Sequence, residues 1–248
     1  MQRKNILEQF QQLLNLSEDG FQILEHQVPV ETQMEYFKFN NRLSRKMPAV
    51  EDIDIENLSA GLYDTASSTD AIKKTLSTLA LTRNPKAYRI LEQYAQTAGK
   101  ELTDWAHMAL MEIRMALETE LSDERHIYIS TGLGGKGNKL RFYILLLSAA
   151  GNPFLDYQRQ VIEREFTYLF LQEDGEIEQL NIRDNYVEVV TLAPIQADIN
   201  RMIANVIREC NQYGDFLSNI VTLTNVKRLT QREIAEIIQK HENSRTST

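Results

Sequence analysis

Four glycines, Gly132, Gly134, Gly135 and Gly137, fall within six positions beside Lys136, Lys139 and Arg141. Glycine lets backbone amides approach a ligand closely, and successive amides can cup an anion. The three cations would add charge for a phosphate or nucleotide. Gly132, Gly134, Gly135, Lys136, Gly137, Lys139 and Arg141 are therefore the candidate ligand-binding set, with an anionic small molecule as the ligand. The surroundings fit no familiar phosphate loop. A dinucleotide fold needs a helix after the loop, whereas the run from Leu140 to Ser148 predicts a strand. A protein kinase would carry further motifs that are missing, and Gly135-Lys136-Gly137 is not the Gly-Lys-Ser/Thr of a P-loop. The bland reading is a connection between paired strands.

The remaining reactive side chains assemble nothing. His26, His107, His126 and His241 are scattered, none three or four residues from another, so no metal site is expected. His107 lies off the apolar stripe of its helix and is expected in solvent. His126 precedes the glycine loop and is the one histidine worth testing. Cys210 is the only cysteine, which rules out an intrachain disulfide and favours a buried inert thiol in a reducing cytoplasm. Glu163/Glu165 and Glu176/Glu178 fall on expected solvent faces or beside turns and take no acid–base role. Leu229–Ile238 is similar to one helix of a helix-turn-helix reader, but no partner helix precedes it. No catalytic residue, metal or cofactor is assigned.

These groups need a scaffold to position them, and the totals bound its size. The chain has 248 residues, 42% of them hydrophobic and 25% charged, with a net charge of −8. It is long enough for one large domain or two ordinary ones. The acidic balance argues against nucleic acid as a partner. The apolar run around Tyr143–Leu147 is far short of the ~20 residues that cross a bilayer, so no membrane partner is expected. The N-terminal stretch reads as an amphipathic helix over Asn5–Leu16, not a secretory signal.

A second helix is predicted over Glu31–Lys46, with Tyr36, Phe37, Phe39 and Leu43 as its apolar set and Pro29 and Pro48 outside it. An acidic connector leads to Thr69. Three helices then come quickly: Thr69–Leu81, Pro85–Ala98 and Leu102–Leu121. Asn84 caps the second, and Pro85 takes its first turn. The third places Trp105, Ala106, Ala109, Leu110 and Ile113 inward. A shift of 34 residues lays Thr69-Asp70 on Thr103-Asp104, a spacing typical of helix-pair repeats. The stretch from Asn84 to Tyr94, together with Trp105–Leu110, resembles a HEAT-type repeat over residues 69–121. That resemblance implies stacked helix pairs presenting a surface to another protein; an ordinary three-helix bundle is the plain alternative. So few repeats need flanking segments to cover their ends, and the helical half is expected to dock on the C-terminal half.

From Glu124 the period changes. Strands are predicted over Arg125–Thr131 and Leu140–Ser148, then a helix from Asn152-Pro153 to Glu165. A meander is expected over Phe166–Gln172, Glu176–Arg183 and Tyr186–Leu192, turning at Asp174-Gly175 and Asp184-Asn185. Pro194 opens a further helix, and a strand over Asn219–Leu223 leads to the helix Thr230–Lys240, with the capping box Thr230…Glu233. The fold class is α+β: an all-α HEAT-like domain over residues 1–122, an α+β domain with a largely antiparallel sheet over 123–242, and a flexible tail over 243–248. The expected role is protein interaction or scaffolding, through another protein or self-association. A phosphate- or nucleotide-binding protein or enzyme using the glycine loop is the alternative.

Overall fold

A computed structural model describes residues 21–50, 53–64, 66–121 and 127–246. The predicted helix Asn5–Leu16 and His126 lie outside these. The described residues divide into two compact units, one within Ser17–Gly132 and the other within Leu133–Thr248.

The described residues of the first unit form five helices: α1 (Val30–Ser44), α2 (Ile55–Ala60), α3 (Thr69–Leu81), α4 (Pro85–Thr97) and α5 (Thr103–Leu121). Their starts follow from local chemistry. The side chains of Asp54, Ser68 and Asn84 accept bonds from first-turn amides of α2, α3 and α4, which otherwise lack partners. α2 lies inside the stretch expected as a connector. α5 is the hub, with Trp105, Ala106, Met108, Ala109 and Ile113 all buried. The Trp105 ring meets Tyr36 and Phe39 edge-on, and its indole nitrogen donates to Ser77 Oγ at 3.0 Å and Lys73 O at 3.2 Å. That satisfies the one polar atom of a large buried ring.

Two features depart from the expected all-α arrangement. Strand β1 (Phe21–Ile23) pairs in parallel with β2 (Ile127–Ile129), so the chain after α5 returns to this unit before Gly132. The buried face of α1 is polar: Gln33, Tyr36 and Asn40 point inward, while Phe37 from the expected apolar set is 48% exposed. Gln33 donates to Val28 O and Thr131 O and accepts from Ser130. Hydrophobic periodicity cannot register a seam made of hydrogen bonds.

The second unit is an antiparallel sheet in the order β5-β6-β4, with β3 and β7 on the remaining edge of β4. Its strands are β3 (Gly135–Lys136), β4 (Lys139–Ser148), β5 (Glu176–Ile182), β6 (Tyr186–Pro194) and β7 (Leu217–Thr224). Helix α6 (Asp156–Gln172) joins β4 to β5, and α7 (Ile199–Asn211) joins β6 to β7. Each connection skips one strand, making two interlocked split βαβ units. Side chains alternate across the sheet. Ile144, Leu146, Val187 and Val189 face α6 and α7, while Tyr143, Leu145, Leu147 and Val190 face α8 (Gln231–Thr246) through Ile234. The sheet is covered on both sides, and the unit is α+β as its pattern of elements implied.

Several boundaries differ from the expected ones. Phe166–Gln172, expected as a strand, completes α6, because Phe166 and Phe170 sit four apart on its buried face with their rings 5.7 Å apart. Asp174-Gly175 is therefore a helix–strand joint, not a hairpin turn. Pro194 ends β6, and α7 begins five residues later, at Ile199, behind Asp198, whose carboxylate accepts from the Arg201 amide. The last helix runs on through Thr246, so residues 243–246 are helical where a tail was expected, and 247–248 are not described. The capping box stands: the Thr230 amide donates to Glu233 at 2.8 Å and the Glu233 amide to Thr230 at 3.3 Å.

Two substitutions test this packing. Trp105→Phe removes both indole hydrogen bonds and leaves the buried Ser77 hydroxyl short of a partner. It should cost about 1–3 kcal/mol by urea denaturation. At Gly175 an added Cβ would lie 2.9 Å from Phe170 O and 3.0 Å from its ring. Gly175→Ala should lower stability by about 1–3 kcal/mol, because backbone must shift to admit the methyl group.

Candidate functional site

The glycine segment forms a tight turn between paired strands. Gly135 and Lys136 pair with Leu140 and Lys139 across a two-residue turn whose Gly137 has φ of 57°, the glycine-first pattern of a type II′ hairpin. Its cations are compensated from β5 and the residue pair before it. Lys136 reaches Glu176 at 3.1 Å, and Lys139 reaches Asp174 at 3.1 Å and Glu176 at 2.9 Å. Arg141 grips Glu178 with two nitrogens, at 2.6 and 2.8 Å, and donates a third bond to Leu133 O. The hydrogen bonds from Lys139 and Lys136 hold the Glu176 carboxyl below the usual carboxylate range. Gly132, Gly134 and Gly135 are buried. Gly132 belongs to the first unit and the rest of the candidate set to the second.

A different constellation assembles in the first unit. His26, just after β1, and His107 on α5 stack with ring centroids 3.8 Å apart and planes within 11°. His26 Nε2 donates to Asp104 Oδ1 at 3.2 Å. The pair borders a cleft of ≈ 430 Å³, with Ile23, Leu24, Leu110 and Met111 as apolar wall and Arg114 and Tyr128 as further polar groups. α5 supplies Asp104, His107, Leu110, Met111 and Arg114 from one face, since steps of three and four return to the same side of a helix. The short ribbon of β1 and β2 carries the opposite wall. Arg114 is oriented by Tyr88, to whose hydroxyl it donates at 3.0 Å, and the Tyr128 hydroxyl bonds Glu118.

Burial, reinforced by the neighbouring His26, pulls His107 down to about 4 against the opposing charge of Asp104. His107 is therefore neutral at pH 7, while the Asp104 carboxylate accepts the ring N–H of His26. Such a pair can orient a polar group through its ring nitrogens. It is poorly built for a metal. Zinc needs lone pairs converging at 2.0–2.1 Å, whereas stacked rings hold theirs in parallel planes 3.8 Å apart. Among the described residues no group of three metal-binding side chains occurs. No serine, threonine, cysteine or lysine among the described residues lines the cleft to serve as a nucleophile.

On the other side of α5, a carboxyl group meets α1. Glu112 accepts from the Tyr36 hydroxyl at 2.6 Å and from the Asn40 amide, with Asn40 Oδ1 left without a partner. Burial pushes the Glu112 carboxyl up, while the bonds from Tyr36 and Asn40 and the Arg83 charge restrain it. Burial also drives the Tyr36 hydroxyl well above its ordinary value.

The histidine pair was not readable from spacing. His26 and His107 are 81 residues apart, and only the pairing of β1 with β2 brings the first to α5. His107 is half-buried, not solvated as expected, because a ring from another element covers it. The one available hint was a polar residue placed between Trp105 and Leu110, which periodicity alone consigns to solvent.

No family model and no curated protein matches this chain. Among solved structures, a putative transposase from Deinococcus radiodurans shares 17% identity over 44% of this chain and 95% of its own, at a TM-score of 0.34. The REP-associated tyrosine transposase bound to a REP hairpin shares 7% over 40% and 61%, at 0.32. A homoserine dehydrogenase from Thiobacillus denitrificans shares 10% over 52% and 29%, at 0.24. Overlap this partial assigns no activity.

The low value for His107 has a consequence for stability. The unfolded ring, near 6.5, binds a proton that the folded ring refuses until about pH 4. Its contribution is complete above pH 6.5 and is lost as the pH falls through that window. His107→Leu should therefore flatten the fall in urea midpoint between pH 7 and pH 4.5 relative to the natural chain.

Proposed function

We propose that this protein is a non-catalytic recognition module of the cytoplasm, and that the His26–His107 cleft of its helical unit takes the ligand. The ligand has an apolar body and a polar end: a side chain of a partner protein, or a small molecule of the same character. The stacked imidazoles at 3.8 Å, braced by Asp104 above an apolar wall, carry this reading. Apolar walls with a few converging polar groups are what ligand sites share. The resemblance of residues 69–121 to a HEAT-type repeat agrees with it, since stacked helices commonly serve as partner surfaces. Buried Cys210, the lone cysteine of the chain, suits a reducing compartment. A glycine-loop anion site has weaker support, because Lys136, Lys139 and Arg141 already face Glu176, Asp174 and Glu178.

The histidine ring protons give a direct test by NMR. Titration with N-acetylated leucine, phenylalanine and aspartate amides should shift the His26 and His107 signals saturably for at least one probe. The response should vanish in His107→Leu while the fold is retained. Signals that no probe moves, or a response that survives His107→Leu and His26→Leu, would sink the proposal.

A further inference from the structure

The C-terminal half of α1 and the two residues after it concentrate positive charge that no described residue of the unit pairs with. Lys38, Arg42, Arg45 and Lys46 are exposed, and Lys74 of α3 stands beside them. None of the five forms an ion pair with any described residue, although the chain carries a net charge of −8. Elsewhere in the same unit Lys73, Arg83 and Lys86 each face a glutamate, at 3.4, 3.4 and 3.9 Å. Like charges three and four residues apart on a helix repel. Attraction to the C-terminal helix dipole suits Arg42 and Arg45 but does not extend to Lys74 on another helix.

These cations line two adjoining hollows that share Arg42. One, of ≈ 350 Å³, is bordered by Lys38, Asn41, Arg42 and Arg45. The other, of ≈ 330 Å³, sets Arg42, Lys46 and Lys74 around Phe39 and Leu43. Both apolar side chains are half-buried. Cations ringing an apolar floor complement a carboxylate-bearing segment that also carries an apolar side chain. Lys38 and Arg45 are seven positions apart, roughly 10 Å along the helix axis, which about three residues of extended peptide would span.

From this juxtaposition we infer that the face of α1 and α3 around Arg42 docks an acidic peptide segment of another protein, its apolar residue on Phe39 and Leu43 and its carboxylates on the surrounding cations. Nucleic acid fits less well, because the acidic molecule as a whole repels a long polyanion. An anionic membrane also fits less well, because Phe39 and Leu43 are half-buried and leave little apolar surface to insert. The surface shares no residue with the histidine cleft, so the two readings stand or fall separately.

Fluorescence anisotropy of the full chain with a short labelled peptide of glutamates interrupted by leucines tests the inference. Binding should saturate, weaken with added salt, and fall by about tenfold or more in the double variant Arg42→Glu/Lys46→Glu. It should persist in Arg89→Glu/Lys100→Glu, which alters exposed cations elsewhere on the unit, and in His107→Leu. A glutamate peptide without leucines should bind more weakly. Equal binding by the two double variants would overturn the proposal. So would no saturable binding, or tighter binding to a single-stranded oligonucleotide of matched charge or to phosphatidylserine vesicles.

Discussion

Glu112 is a half-buried carboxyl group between two helices, and its donors help determine where α1 lies. Tyr36 and Asn40 are both on α1, and both give their hydrogen bonds to the same carboxylate oxygen on α5. A partly desolvated carboxyl group that loses a hydrogen-bond donor costs about 1–3 kcal/mol. Any displacement of α1 would therefore take both donors from Glu112. The apolar surface of α1 alone would not hold it so firmly, because Gln33, Tyr36 and Asn40 occupy the positions where a typical amphipathic helix places leucine.

Two surfaces of the helical unit depend on that arrangement. α5 is held on one side by α1 and on others by α3 and α4, with Trp105 at the point where Tyr36, Phe39, Lys73 and Ser77 converge. A helix fixed in this way presents His107 and Arg114 in a constant direction, and the β1–β2 ribbon then closes the cleft with His26 and Tyr128. The same docking brings the cationic half of α1 beside Lys74 of α3. Polar satisfaction inside the unit and recognition chemistry on its surface share one framework.

The second unit solves a different problem. Its sheet is apolar on both faces, and helices cover each. Charges gather at the β3–β4 turn and along β5, where Lys136, Lys139 and Arg141 meet Asp174, Glu176 and Glu178. β5 has a neighbour only on one side among the described strands, and its carboxylates and register shift suit an edge that must not pair with another chain. The glycine-rich turn belongs to this edge chemistry.

Local chemistry in the sequence determined much of the architecture. Asn84-Pro85 set the start of α4, and Thr230 with Glu233 marked the approach to α8. The alternation of long apolar strands with turns announced an antiparallel sheet. Signals carried by a few consecutive residues are legible because caps, prolines and side-chain period act within one or two turns. Phe166–Gln172 misled for the same reason: aromatic residues favour strands locally, but packing of Phe166 and Phe170 against the sheet selected a helix. The histidine pair, the Glu112 seam and the compensation of the loop cations were decided by tertiary structure alone. Each joins residues from about 35 to more than 80 positions apart, and the energy of such a contact exists only once the chain has brought both partners out of water.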